Sequence, residues 1–127
     1  MSYSAIGYKV KLYAKATGLV YYIRLTFADD LTLYKIGYTT MTIVKRVEGY
    51  YSKKDRCWKG GMGLPYGCHW RIISVVYKGS KTRAYEEEQR LHTLYQAERY
   101  RGPNVVKNGN TELYLMDILG LDTPARS

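Results

Sequence analysis

Four side chains of this sequence, at fixed places in it, could act together on a phosphodiester. Tyr21 lies in Val20-Tyr21-Tyr22-Ile23 and Lys35 in Tyr34-Lys35-Ile36-Gly37-Tyr38-Thr39-Thr40; Arg46 follows in Lys45-Arg46, and Glu88 comes much later. A carboxylate can hold a divalent cation, a guanidinium and an ammonium can neutralise phosphoryl oxygens, and a phenol can help move a proton. Together these are the parts of a metal-dependent site that cleaves phosphodiesters.

Glu88 carries most of this reading. At about 100° per residue along a helix, Ala84, Leu91 and Tyr95 share a stripe and Glu88 falls inside it. Glu86 points to the opposite side and Glu87 to the edge, so both read as solvated acids. A carboxylate facing a core must be paired, hydrogen-bonded or bound to a metal. Two readings stand side by side: a metal ligand, or a buried salt bridge to Arg46 or Lys35. His92, one turn on, shares the face. Tyr21 also reads as a packed ring. Lys35 shares a strand face with Leu31 and Leu33 and reads as a lysine that snorkels to the surface. Gly37 is a point where a backbone can approach a ligand closely. Arg46, on an exposed helix edge, reads by itself as a solvated charge.

The elements that must position these residues follow from the apolar pattern. Leu19, Tyr21, Ile23, Leu25 and Phe27 alternate as one face of a strand, Ala28-Asp29-Asp30 makes a turn, and residues 31–38 return as the second strand of a hairpin. Thr40 or Thr42 caps a helix to about Tyr51, with Ile43, Val44, Val47 and Tyr50 buried and Arg46 and Tyr50 on one edge. Residues 52–67 read as a basic, glycine-rich loop. Residues 68–77 form a third strand, apolar on both faces at Ile72, Ile73, Val75 and Val76, which predicts a central place in the sheet. A second helix runs from Ser80 or Thr82 to about Ala97. Turns at Gly102-Pro103 and Asn108-Gly109-Asn110, a short strand over 112–115 and a helical turn around 117–119 close the chain. The predicted fold class is α+β: a small single domain with a mostly antiparallel three-stranded sheet flanked by helices, plus a short C-terminal strand. Residues 1–17 are an N-terminal arm, with a strand expected around Tyr8–Tyr13; 18–119 are the domain and 120–127 a tail.

A chain of 127 residues suits one domain with one core. Its net charge of +9 favours a polyanionic partner and binding that weakens as salt rises. Fifteen tyrosines against one phenylalanine suit a half-wet groove better than a dry interior. No segment approaches a membrane span in apolar length, and Lys9, Lys11 and Lys15 interrupt the first twenty residues, so a cytoplasmic protein with no membrane partner is expected. Cys57 and Cys68 are then expected as free thiols. Joining them to His69 and His92 in a zinc site would need a paired close spacing that the sequence lacks.

The joint spacing resembles the GIY-YIG nuclease superfamily. Leu19-Val20-Tyr21 looks like its first motif and Lys35-Ile36-Gly37 its second, in the Tyr-Lys-Ile-Gly-x-Thr-Thr form of a bacteriophage and bacterial branch. Arg46, then Tyr50 four residues beyond, match that branch, as does Glu88-Gln89-Arg90-Leu91-His92. Glu112-Leu113-Tyr114 approximates its closing acidic-aromatic-aromatic segment. The resemblance covers roughly residues 18–116. Leu19 replaces the usual glycine and Lys35 the second tyrosine; Asn104 and Asn110 are the asparagines available for a further family position. The resemblance implies a Mg²⁺-dependent endonuclease, with Mn²⁺ as a substitute, cutting DNA by a one-metal mechanism, with RNA left open as a partner. It implies Glu88 as the metal ligand, Tyr21 and Lys35 in proton transfer, Arg46 on the phosphoryl oxygens, and Tyr50 and His92 at the site. Lys53, Lys54, Arg56 and Lys59 would track the backbone. A member of this kind works as monomer or homodimer, in the host cytoplasm if phage-encoded. Two other readings stand beside it: an inactive nucleic-acid-binding module on the same fold, and a structural protein with an acidic protein partner.

Overall fold

The computed structural model describes residues 17–122. The expected arm, with its strand at Tyr8–Tyr13, and the end of the tail lie outside the described residues. The strands are β1 (Thr17–Thr26), β2 (Thr32–Thr39), β3 (Tyr50–Ser52), β4 (Cys57–Lys59), β5 (His69–Ser80) and β6 (Leu113–Tyr114); the α-helices are α1 (Ile43–Glu48) and α2 (Lys81–Leu94). Four strands form one antiparallel sheet in the order β5-β1-β2-β6, and β3 and β4 form a separate hairpin. The α+β class holds, with the short C-terminal strand joining the three longer ones.

β1 is central because it is apolar on both faces. Tyr21, Ile23, Leu25 and Phe27 pack with Leu33, Ile43, Val47, Met62, Val106 and Leu113 on one side. Val20 and Tyr22 pack with Ile36, Ala84, Leu91 and Tyr114 on the other, under α2. The β1–β2 turn closes as expected: Asp30 takes a left-handed φ of 68° and the Asp29 carboxylate accepts from Leu31 N at 3.2 Å.

β5 is not central. Among the described residues it pairs only with β1, and Ile72 and Val75 are exposed. The apolar doublets arise from two register shifts, where Ile73 and Val76 are skipped in the pairing. An extra residue at a bulge repeats an apolar residue without calling for a second buried face.

Thr42 caps α1 by accepting from Lys45 N at 3.2 Å, but the helix stops at Glu48 because Gly49 takes φ 84°. Val44 therefore faces solvent, and Tyr50 begins β3 instead of continuing the helical edge of Arg46. The loop expected over 52–67 folds in part into the β3–β4 hairpin. Ser80 caps α2 by accepting from Arg83 N at 3.2 Å, and the helix ends at Leu94, with a 3₁₀ turn over Gln96–Glu98 replacing its last turn. Residues 117–120 make a hydrogen-bonded turn and no helix.

That final turn is clasped to the sheet. Tyr22 Oη donates to Asp117 Oδ1 at 2.5 Å, Tyr34 Oη to Asp122 Oδ2 at 2.7 Å, and Arg24 Nη1 to both Asp122 oxygens at 2.9 and 2.7 Å. The Tyr34 hydroxyl, then Arg24, hold the Asp122 carboxyl below its ordinary 3.8, while burial and then Asp122 push Tyr34 from 10 up to about 12. The depressed carboxyl contributes stability above its unfolded pKa that is lost as pH falls through the folded value. The raised phenol contributes stability below pH 10 that is lost as pH rises toward about 12. Asp122→Asn is expected to cost roughly 1–2 kcal/mol at neutral pH, since the pair is only partly buried. Urea midpoints against pH test this: the variant should lose less stability than wild type on acidification, and parallel curves would refute the clasp.

Candidate active site

Tyr21 and Lys35 share a face of the hairpin. Tyr21 pairs with Gly37, Ile23 with Lys35 and Leu25 with Leu33 across the strands. A Cβ on Gly37 would overlap the Tyr21 ring at Cζ and Oη, so only glycine lets the phenol lie across β2. Tyr21 is fully buried; its Oη makes no hydrogen bond of full geometry among the described residues, although the Arg46 guanidinium lies close enough to favour its phenolate by charge and by hydrogen bonding. Burial, then the Glu112 carboxylate, push its phenol above the ordinary value; Arg46 pulls it back and Glu88 adds to the rise. The site thus gathers around an orphaned hydroxyl.

Lys35 does not snorkel. It is 1% exposed, with Nζ 3.3 Å from Glu112 Oε1 and 5.5 Å from the Tyr21 ring centre. Leu113 of β6 lies beside it in the ladder, and the turn carrying Gly109 and Glu112 closes over its end. Gly109 takes φ 91°, and a Cβ there would stand 3.3 Å from Lys35 Nζ. Burial lowers the ammonium's pKa, and Glu112 offsets part of that.

Along β2, β6 pairs at Tyr34 and Lys35, and among the described residues no strand covers the edge of β2 from Ile36 onward. Side chains of α2 reach this opening. Ala84, Glu88, Leu91 and His92 are the buried residues of the helix, while Glu86 is exposed and Glu87 partly so. Glu88 accepts from Gln89 Nε2 at 3.1 Å and has no lysine or arginine within 4.0 Å among the described residues. The ion pair to Arg46 or Lys35 that the sequence left open is absent there: Lys35 belongs to Glu112, and Arg46 acts on the site from α1 as a nearby charge.

His92 Nδ1 lies 2.7 Å from Tyr114 Oη and Nε2 lies 3.1 Å from the Ile36 carbonyl. Since a carbonyl only accepts, Nε2 carries a proton; in the neutral imidazole the Tyr114 hydroxyl then donates to Nδ1. Potential ligand atoms of Glu88, His92 and Glu112 lie within 4.8 Å of one another. With both imidazole nitrogens engaged and Nε2 3.8 Å from Glu88 Oε2, His92 positions the cluster, and the two carboxylates remain as donors for a cation. Hard carboxylate oxygens beside an orphaned phenol fit Mg²⁺.

Glu112 is the residue that sequence reasoning did not assign to the site, although it lies in the acidic-aromatic segment noted above. Asn110 is spent on its own turn, accepting from Val105 N and Val106 N and donating to Val106 O at 2.7 Å. Tyr50 sits with the Lys45 ammonium 5.6 Å over its ring, at the root of the hairpin whose tip exposes Lys53, Lys54 and Arg56. Lys59 is also exposed but pairs with Asp55. Cys57 and Cys68 are free thiols, Cys68 Sγ donating to the His69 carbonyl at 3.8 Å. No helix among the described residues is long and apolar enough to cross a membrane.

These features define a small α+β domain whose open sheet edge gathers two carboxylates, a buried lysine and an orphaned phenol. The family model of the T5orf172 domain matches residues 18–123, and the chain belongs to that family, a domain found in nuclease-like proteins of phages and bacteria. No curated protein and no solved structure is matched by the chain.

Proposed function

We propose that this protein is a Mg²⁺-dependent endonuclease of the GIY-YIG kind that hydrolyses DNA phosphodiester bonds. The observation that carries the reading is Glu88: a buried carboxylate without a lysine or arginine partner among the described residues, converging with Glu112 beside the orphaned Tyr21 hydroxyl. Two acids brought this close in a poorly solvated site favour a divalent cation between them. The T5orf172 match supports a nuclease or DNA-binding role on independent grounds.

Glu88 and Glu112 would hold the cation, which when bound supplies the positive charge that polarises the scissile phosphate. Lys35 holds Glu112 in place and sets a positive charge 5.5 Å from the Tyr21 ring centre. Tyr21 Oη, with no hydrogen-bond partner of full geometry among the described residues, is placed to hydrogen-bond an attacking water; it would take that water's proton only as the phenolate, its own proton first lost to solvent under the charge of a bound cation. Arg46 neutralises charge that builds on the phosphoryl oxygens. His92, locked by Tyr114 and Ile36, keeps α2 registered against the open edge of β2. Tyr50 and the hairpin tip at Lys53, Lys54 and Arg56 face the nucleic-acid backbone, with Lys59 behind them.

Supercoiled plasmid incubated with the purified protein is expected to be nicked or linearised with Mg²⁺ or Mn²⁺ and to stay intact in EDTA. Undiminished cutting in EDTA would overturn the metal-dependent reading. Salt-sensitive DNA binding without cleavage under any divalent ion would leave the inactive binding module in its place.

A further inference from the structure

Tyr51 and Trp58 face each other across the β3–β4 hairpin, their rings 6.0 Å apart at 73°. Trp58 is 72% exposed and Tyr51 51%. A large aromatic pair left in solvent on a small domain marks a surface built to be covered. The tip of the same hairpin is basic: Lys53, Lys54 and Arg56 are exposed.

Trp58 also walls a cleft of about 440 Å³, lined further by Gly60, Gly61, Gly63, Lys107 and Asn108. Its floor is bare because the three glycines take φ of 68°, 85° and 66°, a region that side-chain-bearing residues avoid. Asn108 Nδ2 donates to Gly61 O at 3.1 Å, which fixes the amide and leaves its oxygen to accept. Glu48, the acid on the rim, is turned to the Trp70 indole N–H at 2.8 Å. An indole wall, a bare backbone floor, an amide and a lysine suit a flat polar ring carried on a polyanion.

We propose that Trp58 and this cleft hold one unstacked nucleobase, so that the preferred substrate carries a locally unpaired nucleotide. This rests on the nucleic-acid reading above and narrows it to a substrate class. Two elements are shared by the cleft and the candidate active site. α1 gives Arg46 to the site and Glu48 to the cleft. The turn after Val106 gives Lys107 and Asn108 to the cleft and Gly109 and Glu112 to Lys35. A base seated on Trp58 would therefore rest on the same two elements that carry the candidate site. Stacking on an indole is sequence-tolerant, because every base has a π-face. The recognised feature is an unpaired base and not a particular letter.

Fluorescence anisotropy in EDTA, where no cutting occurs, tests this with three labelled DNAs of one sequence: a paired duplex, a duplex with a single-nucleotide bulge, and a single strand. Wild type is expected to bind the bulged duplex about tenfold more tightly than the paired one, and Trp58→Ala to abolish that preference while holding the paired duplex within about twofold. Trp58→Phe should keep most of the preference, and bulged DNA should quench the wild-type tryptophan emission more than paired DNA does. Equal wild-type affinity for paired and bulged DNA, or a preference that survives Trp58→Ala, overturns the inference alone. Failure to bind any of the three DNAs at low salt overturns the nucleic-acid reading beneath it as well.

Discussion

Glu88→Gln is expected to lower the Mg²⁺-dependent cleavage rate by about a thousandfold or more, equivalent to about 4 kcal/mol of lost transition-state stabilisation. The same change is expected to leave the fold intact. Glutamine is nearly isosteric with glutamate and can keep the contact with Gln89, while removing a buried negative charge that stands close to Glu112. The melting temperature in EDTA should therefore be unchanged or slightly higher. The two proteins should also differ in response to metal. A ligand that binds only the folded state raises stability by mass action, so Mg²⁺ should shift the wild-type melting temperature upward and the variant's much less. If Glu88 were only a structural group, the variant would melt lower in EDTA and the Mg²⁺ shift would persist. That pattern would remove Glu88 from the site regardless of any cleavage assay.

Glu88 could be found by helical periodicity because its signal is local: its burial is decided by Ala84 and Leu91 on the same helix. The β1–β2 hairpin was legible for the same reason, since alternation sets the face of Tyr21, Ile23 and Leu25 and the Asp30 turn sets the register. Features that depend on distant partners were not. Lys35 looks like a snorkelling lysine until Glu112, far along the chain, is brought over it by the left-handed turn at Gly109. Glu112 itself stands ahead of a two-residue strand, too short for any alternation to mark its face. The end of α1 turned on one backbone angle at Gly49, and the β3–β4 hairpin on three-residue strands within a run rich in lysine and glycine. β5 misled because two bulges put apolar residues side by side in an edge strand. In each case the missing information is a backbone conformation or a long-range pairing, neither of which leaves a periodic trace.

Tyr21→Phe separates catalysis from stability more cleanly than any other substitution in the site. The ring is held by packing: it lies across Gly37 and belongs to the cluster of Ile23, Leu25 and Val47. Phenylalanine keeps that packing whole. What it removes is a hydroxyl buried without a hydrogen-bond partner among the described residues, and such a group costs folding free energy through lost hydration. The variant is therefore expected to be as stable as wild type or more stable by about 1 kcal/mol, read as a higher urea midpoint at unchanged slope. If the hydroxyl is kept for proton transfer from an attacking water, cleavage should fall by about 10²- to 10⁴-fold while DNA affinity at low salt stays within about twofold. A destabilised variant would mean that the hydroxyl is a bonded structural group in solution. A stable variant that cuts at the wild-type rate would remove Tyr21 from the chemistry and move the proton acceptor elsewhere in the site. Stability retained together with activity lost is the signature of a polar group maintained against the interest of the fold, which is how a functional residue differs from a core residue.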